Sequence, residues 1–104
     1  MDREKRTRLQ AAGWKVGSAA DFLDLSPEDA LLVDIRARLA SALSARRAKQ
    51  QMTQAELARR IHSSQSRVAK MEAADGSVSL DLLIRSLLAL GATRKDLATA
   101  IAGN

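Results

Sequence analysis

From Ser26 to about Gln50 the apolar residues Leu31, Leu32, Ile35, Leu39 and Leu43 recur at spacings of three and four. That is the period of one long helix and not of a strand. Its start is marked by Ser26 as N-cap, Pro27 at the first helical position, and Glu28 and Asp29 where the helix dipole favours acids. The rest of the chain agrees with a helical fold. Aromatics are only 2% of residues against 46% hydrophobic, so the apolar mass is mostly Ala, Leu, Ile and Val. No clean alternation runs beyond three or four residues, and the fold class expected is therefore all-α.

Shorter helices follow the same logic. Residues 2–11 are charged and too poor in apolar content to fix a helix firmly, so fraying is expected. A turn at Gly13, apolar anchors at Trp14 and Val16, and Ser18 followed by Asp21 predict a short helix whose Phe22, Leu23 and Leu25 face the core. Thr53 caps "QAELARRI", with Glu56 completing a capping box, and Ser64 or Ser63 caps "QSRVAKMEA". After "ADG", read as a helix stop, Ser79 caps "LDLLIRSLLAL", in which Leu80, Leu83, Ile84, Leu87 and Leu88 trace an apolar face that Gly91 ends. A last helix over about 93–102 presents Leu97 and Ile101.

At 104 residues the chain is long enough for one modest core. It has no cysteine, which removes disulfides and thiolate metal sites. The charged N-terminus lacks the apolar core of a signal peptide, and no stretch approaches the roughly 18 apolar residues of a membrane span, so a cytoplasmic location without membrane contact is expected. Enzyme chemistry is disfavoured: there is one histidine, no acid pair with an obvious pocket, no glycine-rich phosphate loop and no metal-ligand spacing. No catalytic residue, metal or cofactor is expected.

Charge points elsewhere. Between Arg46 and Lys70 lie seven basic residues (Arg46, Arg47, Lys49, Arg59, Arg60, Arg67, Lys70) against the single acid Glu56, a local +6 in a chain of net +5. Such concentration favours a polyanionic partner. The same stretch holds two short helices joined by a tight turn, the second opening on exposed polar groups, which is helix-turn-helix geometry. Ala58 supplies the small residue at the crossing, and Leu57, Ile61, Val68 and Met71 supply the inner faces. His62 occupies the turn position that needs left-handed backbone; histidine is among the few non-glycine types that tolerate it.

The stretch "TQAELARRIHSSQSRVAKMEA" resembles the helix-turn-helix of the Xre family, the phage repressor and Cro type. The resemblance implies a five-helix repressor-like DNA-binding domain over 30–104 behind an N-terminal arm and short helix at 1–29. His62 departs from the glycine usual at that turn. The flanking "GWKVGSAADFLDLSPEDALLVDIR" and "SVSLDLLIRSLLALGA" resemble a subgroup containing HigA-like antitoxins.

The resemblance also assigns roles. Gln54 and Ser64 take the positions that bind backbone phosphate, while Gln65, Ser66 and Lys70 take those that enter the major groove, with Arg67 able to reach base or phosphate. Side-chain chemistry agrees, since Gln pairs with adenine and Arg or Lys with guanine on their major-groove edges. Arg46, Arg47, Lys49 and Arg59 are then non-specific phosphate contacts. Glu72 is read as structural, pairing with a nearby basic residue.

The partner expected is double-stranded DNA carrying an inverted repeat, in the nucleoid. One recognition helix reads about four or five base pairs at roughly 1–3 kcal/mol each, too little to select a genomic site, so a homodimer is expected. The last helix and the N-terminal arm are both candidates for its seam. Trp14 either pins the arm to the core or anchors a partner. Two functions stay open: an autoregulating repressor, or an antitoxin whose main task is to neutralise a toxin protein, with DNA binding secondary.

Overall fold

A computed structural model describes residues 25–103. The expectations placed on residues 2–11, Gly13, Trp14, Val16, Ser18, Asp21, Phe22 and Leu23 lie outside them. Five helices follow in order: α1 Pro27–Lys49, α2 Gln54–Arg60, α3 Gln65–Glu72, α4 Leu80–Ala89 and α5 Arg94–Ala102. Among the described residues there is no strand.

Each helix starts where a short polar side chain satisfies its free amides. The Ser26 hydroxyl accepts from the Asp29 amide at 3.1 Å, as the sequence predicts. Thr53 and Glu56 form the full capping box of α2, with Thr53 N donating to Glu56 Oε1 at 2.7 Å and Glu56 N to Thr53 Oγ1 at 3.0 Å. Of the two serines proposed for α3, Ser64 is the cap, taking the Arg67 amide at 3.1 Å. Ser79 caps α4. Thr93 and Asp96 build a second capping box on α5.

The helix ends share one device. After α1, α2, α3 and α4 one residue adopts left-handed backbone and the next amide reaches back to the last turn: Met52 to Arg47 O, Ser63 to Ala58 O, Asp75 to Lys70 O and Ala92 to Leu87 O, at 2.8–3.1 Å. The left-handed residues are Gln51 (φ 57°), His62 (φ 57°), Ala74 (φ 58°) and Gly91 (φ 91°). His62 and Gly91 stand where the sequence places such residues. For α3 the stop expected at "ADG" is made by its first residue, Ala74, in the left-handed conformation.

The chain divides between Ile35 and Arg36 into two units, and the second carries the main core. Leu39 and Leu43 of α1, Leu57 of α2, Val68 and Met71 of α3, and Leu83 and Leu87 of α4 are fully or almost fully buried there. Ala58, 4% exposed, lets α2 and α3 approach closely. Among the described residues the fully buried polar side chain of Ser86 donates to Leu82 O at 2.8 Å and so costs little. α5 contributes Leu97 as a half-buried contact and leaves Ile101 exposed. Arg36 donates to the Val78 carbonyl, tying the loop before α4 to α1.

Candidate nucleic-acid interface

α3 has two unlike faces. Val68 and Met71, three residues apart, point into the core. Gln65, Ser66, Arg67 and Lys70 are all exposed, and the side chains of Gln65 and Arg67 make no hydrogen bond or ion pair with other described residues. Burial therefore leaves this row of donors and acceptors unspent. A helix whose outer face carries such groups can hydrogen-bond to base edges or phosphates without breaking any internal bond.

At its N-terminus the helix leans on Ser64, whose hydroxyl takes the Arg67 amide and lies 3.3 Å from the Ser66 hydroxyl. Ser64, Ser66, Arg67 and Lys70 line a shallow polar hollow of about 310 Å³ together with Ser77 and Val78. Ser77 was missed by the sequence reading. Its signal was present in "ADGS", since the Asp75 carboxylate accepts from the Ser77 amide at 2.8 Å and folds the loop back toward α3. Hydrogen bonding from the Ser77 side chain first, and then from its amide, holds the Asp75 carboxyl below the usual carboxylate range, helped by the Lys70 and Arg36 charges. On the turn side, His62 and Ser63 border a second hollow with Ser64 and Arg67.

The other expected phosphate contacts fall into three settings. Arg59 and Lys49 are exposed. Arg46 is half-buried and pairs with Asp96 of α5 at 3.1 Å. Together Arg46 and Lys49 border a groove of about 560 Å³ between α1 and α5, apart from the hollows beside α3. Arg47 is committed inside the fold. Its Nε and Nη2 donate to the two Glu72 carboxylate oxygens at 2.5 and 3.0 Å, and its Nη1 to the Met52 carbonyl at 2.7 Å. Sequence alone anticipated a basic partner for Glu72, without naming it.

Gln54 joins the same network by donating to Glu72 Oε1 at 3.1 Å. Glu72 is 8% exposed and Arg47 17%. Burial pushes the Glu72 carboxyl up, but hydrogen bonds from Arg47, Gln54 and Ser44 and the Arg47 charge outweigh it and hold the group below the ordinary range. The Glu72 hydrogen bond correspondingly raises the Arg47 guanidinium, against a desolvation that lowers it. One carboxylate thus links the end of α1, the first residue of α2 and the last residue of α3. The amide of Gln54 is fixed in direction by a charged acceptor.

Among the described residues no group of His, Cys, Asp and Glu is placed to hold a metal ion, and no helix is long and apolar enough to cross a membrane. Compared with known families, residues 43–97, more than half the chain, match the helix-turn-helix family. No curated protein and no solved structure gave a match.

Proposed function

The chain belongs to the helix-turn-helix family and is a DNA-binding transcription regulator, and from that premise we propose that it is an autoregulating repressor reading an inverted repeat as a homodimer. In this reading α3 enters the major groove. Gln65, Ser66, Arg67 and Lys70 meet base edges, and the Ser64 hydroxyl, whose proton is not used in capping, reaches a phosphate. Gln54 binds phosphate through the amide hydrogen that Glu72 leaves free. Lys49, Arg59 and Arg46 contact phosphates further out. Arg47 keeps a reduced part in this scheme: with most of its donors engaged, it fixes Gln54 by way of Glu72.

The observation that supports this most is the unspent outer face of α3 beside a core-facing Val68 and Met71. A structural helix would have no reason to keep Gln65 and Arg67 unbonded in a setting where neighbouring arginines find carboxylates. Dimerisation is proposed on energetic grounds, because one helix discriminates too few base pairs for a genomic site and two related by a twofold axis double the number read. The antitoxin alternative uses the same DNA-binding half, and nothing on α3 favours it over a repressor. A footprint over the chain's own promoter tests the proposal. Protection of two half-sites about one helical turn apart is expected, whereas uniform, sequence-indifferent coverage contradicts it.

A further inference from the structure

The first turns of α1 carry a surface that the DNA reading leaves unused. Leu31, Leu32 and Val33 are 57%, 45% and 43% exposed. Consecutive helical residues stand about 100° apart, so these three side chains spread over roughly 200° of the circumference. No flat neighbour packed on one side of a helix can cover them all; a groove that grips the helix can. Large apolar groups grouped in this way on a surface mark an interaction site more often than isolated ones do.

Charge identifies what covers them. Between Lys15 and Arg36 the sequence has five acids, Asp21, Asp24, Glu28, Asp29 and Asp34, and no lysine or arginine, in a chain whose net charge is +5. Glu28 and Asp29 sit exposed in the first turn of α1, directly before the apolar triplet. An acidic partner surface would be set against Glu28 and Asp29, which costs energy. An anionic membrane face repels them as well. A protein with a basic rim around an apolar groove meets both features at once.

We propose that residues 28–33 of α1 form a helical docking element for a second, basic protein, which closes an apolar groove around Leu31, Leu32 and Val33 and pairs its rim with Glu28 and Asp29. The site shares no residue with the α3 face, so it stands or falls independently of the operator reading. Binding there leaves Gln65, Arg67 and Lys70 chemically untouched, and one chain is then equipped to hold DNA and protein through different residues.

The test places a photo-crosslinking amino acid at position 32 of the full chain in the cells that make it, identifies the adduct, and then measures affinity for the captured protein in purified form. A heterologous basic protein is expected. Its affinity should fall at least tenfold with Leu32→Asp and at least tenfold with the double charge reversal Glu28→Lys/Asp29→Lys, and should weaken as salt rises, while affinity for promoter DNA stays within twofold. The charge reversal, on exposed residues, guards against a Leu32→Asp chain that misfolds. An adduct with a second copy, with lipid, with an acidic protein, or with nothing overturns the proposal, as does a captured protein whose affinity neither substitution changes.

Discussion

Arg46 and Arg47 are neighbours at the end of α1, and the sequence treats them alike, yet the molecule uses them in opposite ways. Arg47 turns toward α3 and gives three donors to Glu72 and the Met52 carbonyl in a site where neither charged side chain exceeds 17% exposure. Arg46 turns toward α5 and makes a single contact with Asp96, whose side chain is 45% exposed and already serves the α5 capping box. One turn of 100° about the helix axis separates a structural ion pair from a surface one. The lesson is that a basic cluster is not a uniform patch: its electrostatic total says what kind of partner it suits, while burial decides which members remain available.

The sharpest way to break the Arg47 side is Glu72→Ala. It strands the Arg47 guanidinium in a largely buried site and releases Gln54, and we expect a loss of about 3 kcal/mol in denaturant unfolding. A loss below about 1 kcal/mol would place Arg47 in the same class as Arg46. The pH dependence carries the same signature. Because the folded-state carboxyl is depressed, its contribution is fully present above the unfolded Glu value of about 4.3 and is lost as pH falls toward the lower folded value. Glu72→Gln should therefore flatten the stability profile on that acid side and leave its shape near neutrality unchanged.

Arg46→Ala should cost under about 1 kcal/mol, because an exposed pair of this kind is weak and screened by salt. In DNA binding, if Arg46 meets a phosphate, the same substitution should lower the log–log salt slope by about 0.9, and an unchanged slope would remove Arg46 from the interface. The smallest effect concerns the stops between helices. Ala74 holds a left-handed conformation that costs an L-residue about 1–2 kcal/mol, so Ala74→Gly should stabilise the chain by about 0.5 kcal/mol after glycine's own entropy loss. A destabilisation there would mean the alanine methyl is packed.

These contrasts also show what could be read from the sequence. The helix starts were legible because a cap is local: Ser26 with Pro27, Thr53 with Glu56, and Ser79 each signal within four residues. The α2–α3 pair was legible for the same reason, with His62 marking its turn. Ala74 and Gln51 were not, since alanine and glutamine carry no conformational signature of a left-handed stop. The Arg47–Glu72 pair spans 25 residues, and nothing in the spacing says which of two adjacent arginines faces inward. Period alone also did not separate Leu39 and Leu43, buried in the core, from Leu31 and Leu32, which share their spacing and stay exposed.

The central claim, that the outer face of α3 reads bases, is tested most directly by measuring affinity for the chain's own promoter against competitor DNA at about 150 mM salt, for the native chain and for Gln65→Ala/Lys70→Ala. The double variant should keep its fold and its weak, salt-sensitive hold on any duplex while its preference for the promoter disappears. A variant that still selects the promoter with native affinity would contradict it.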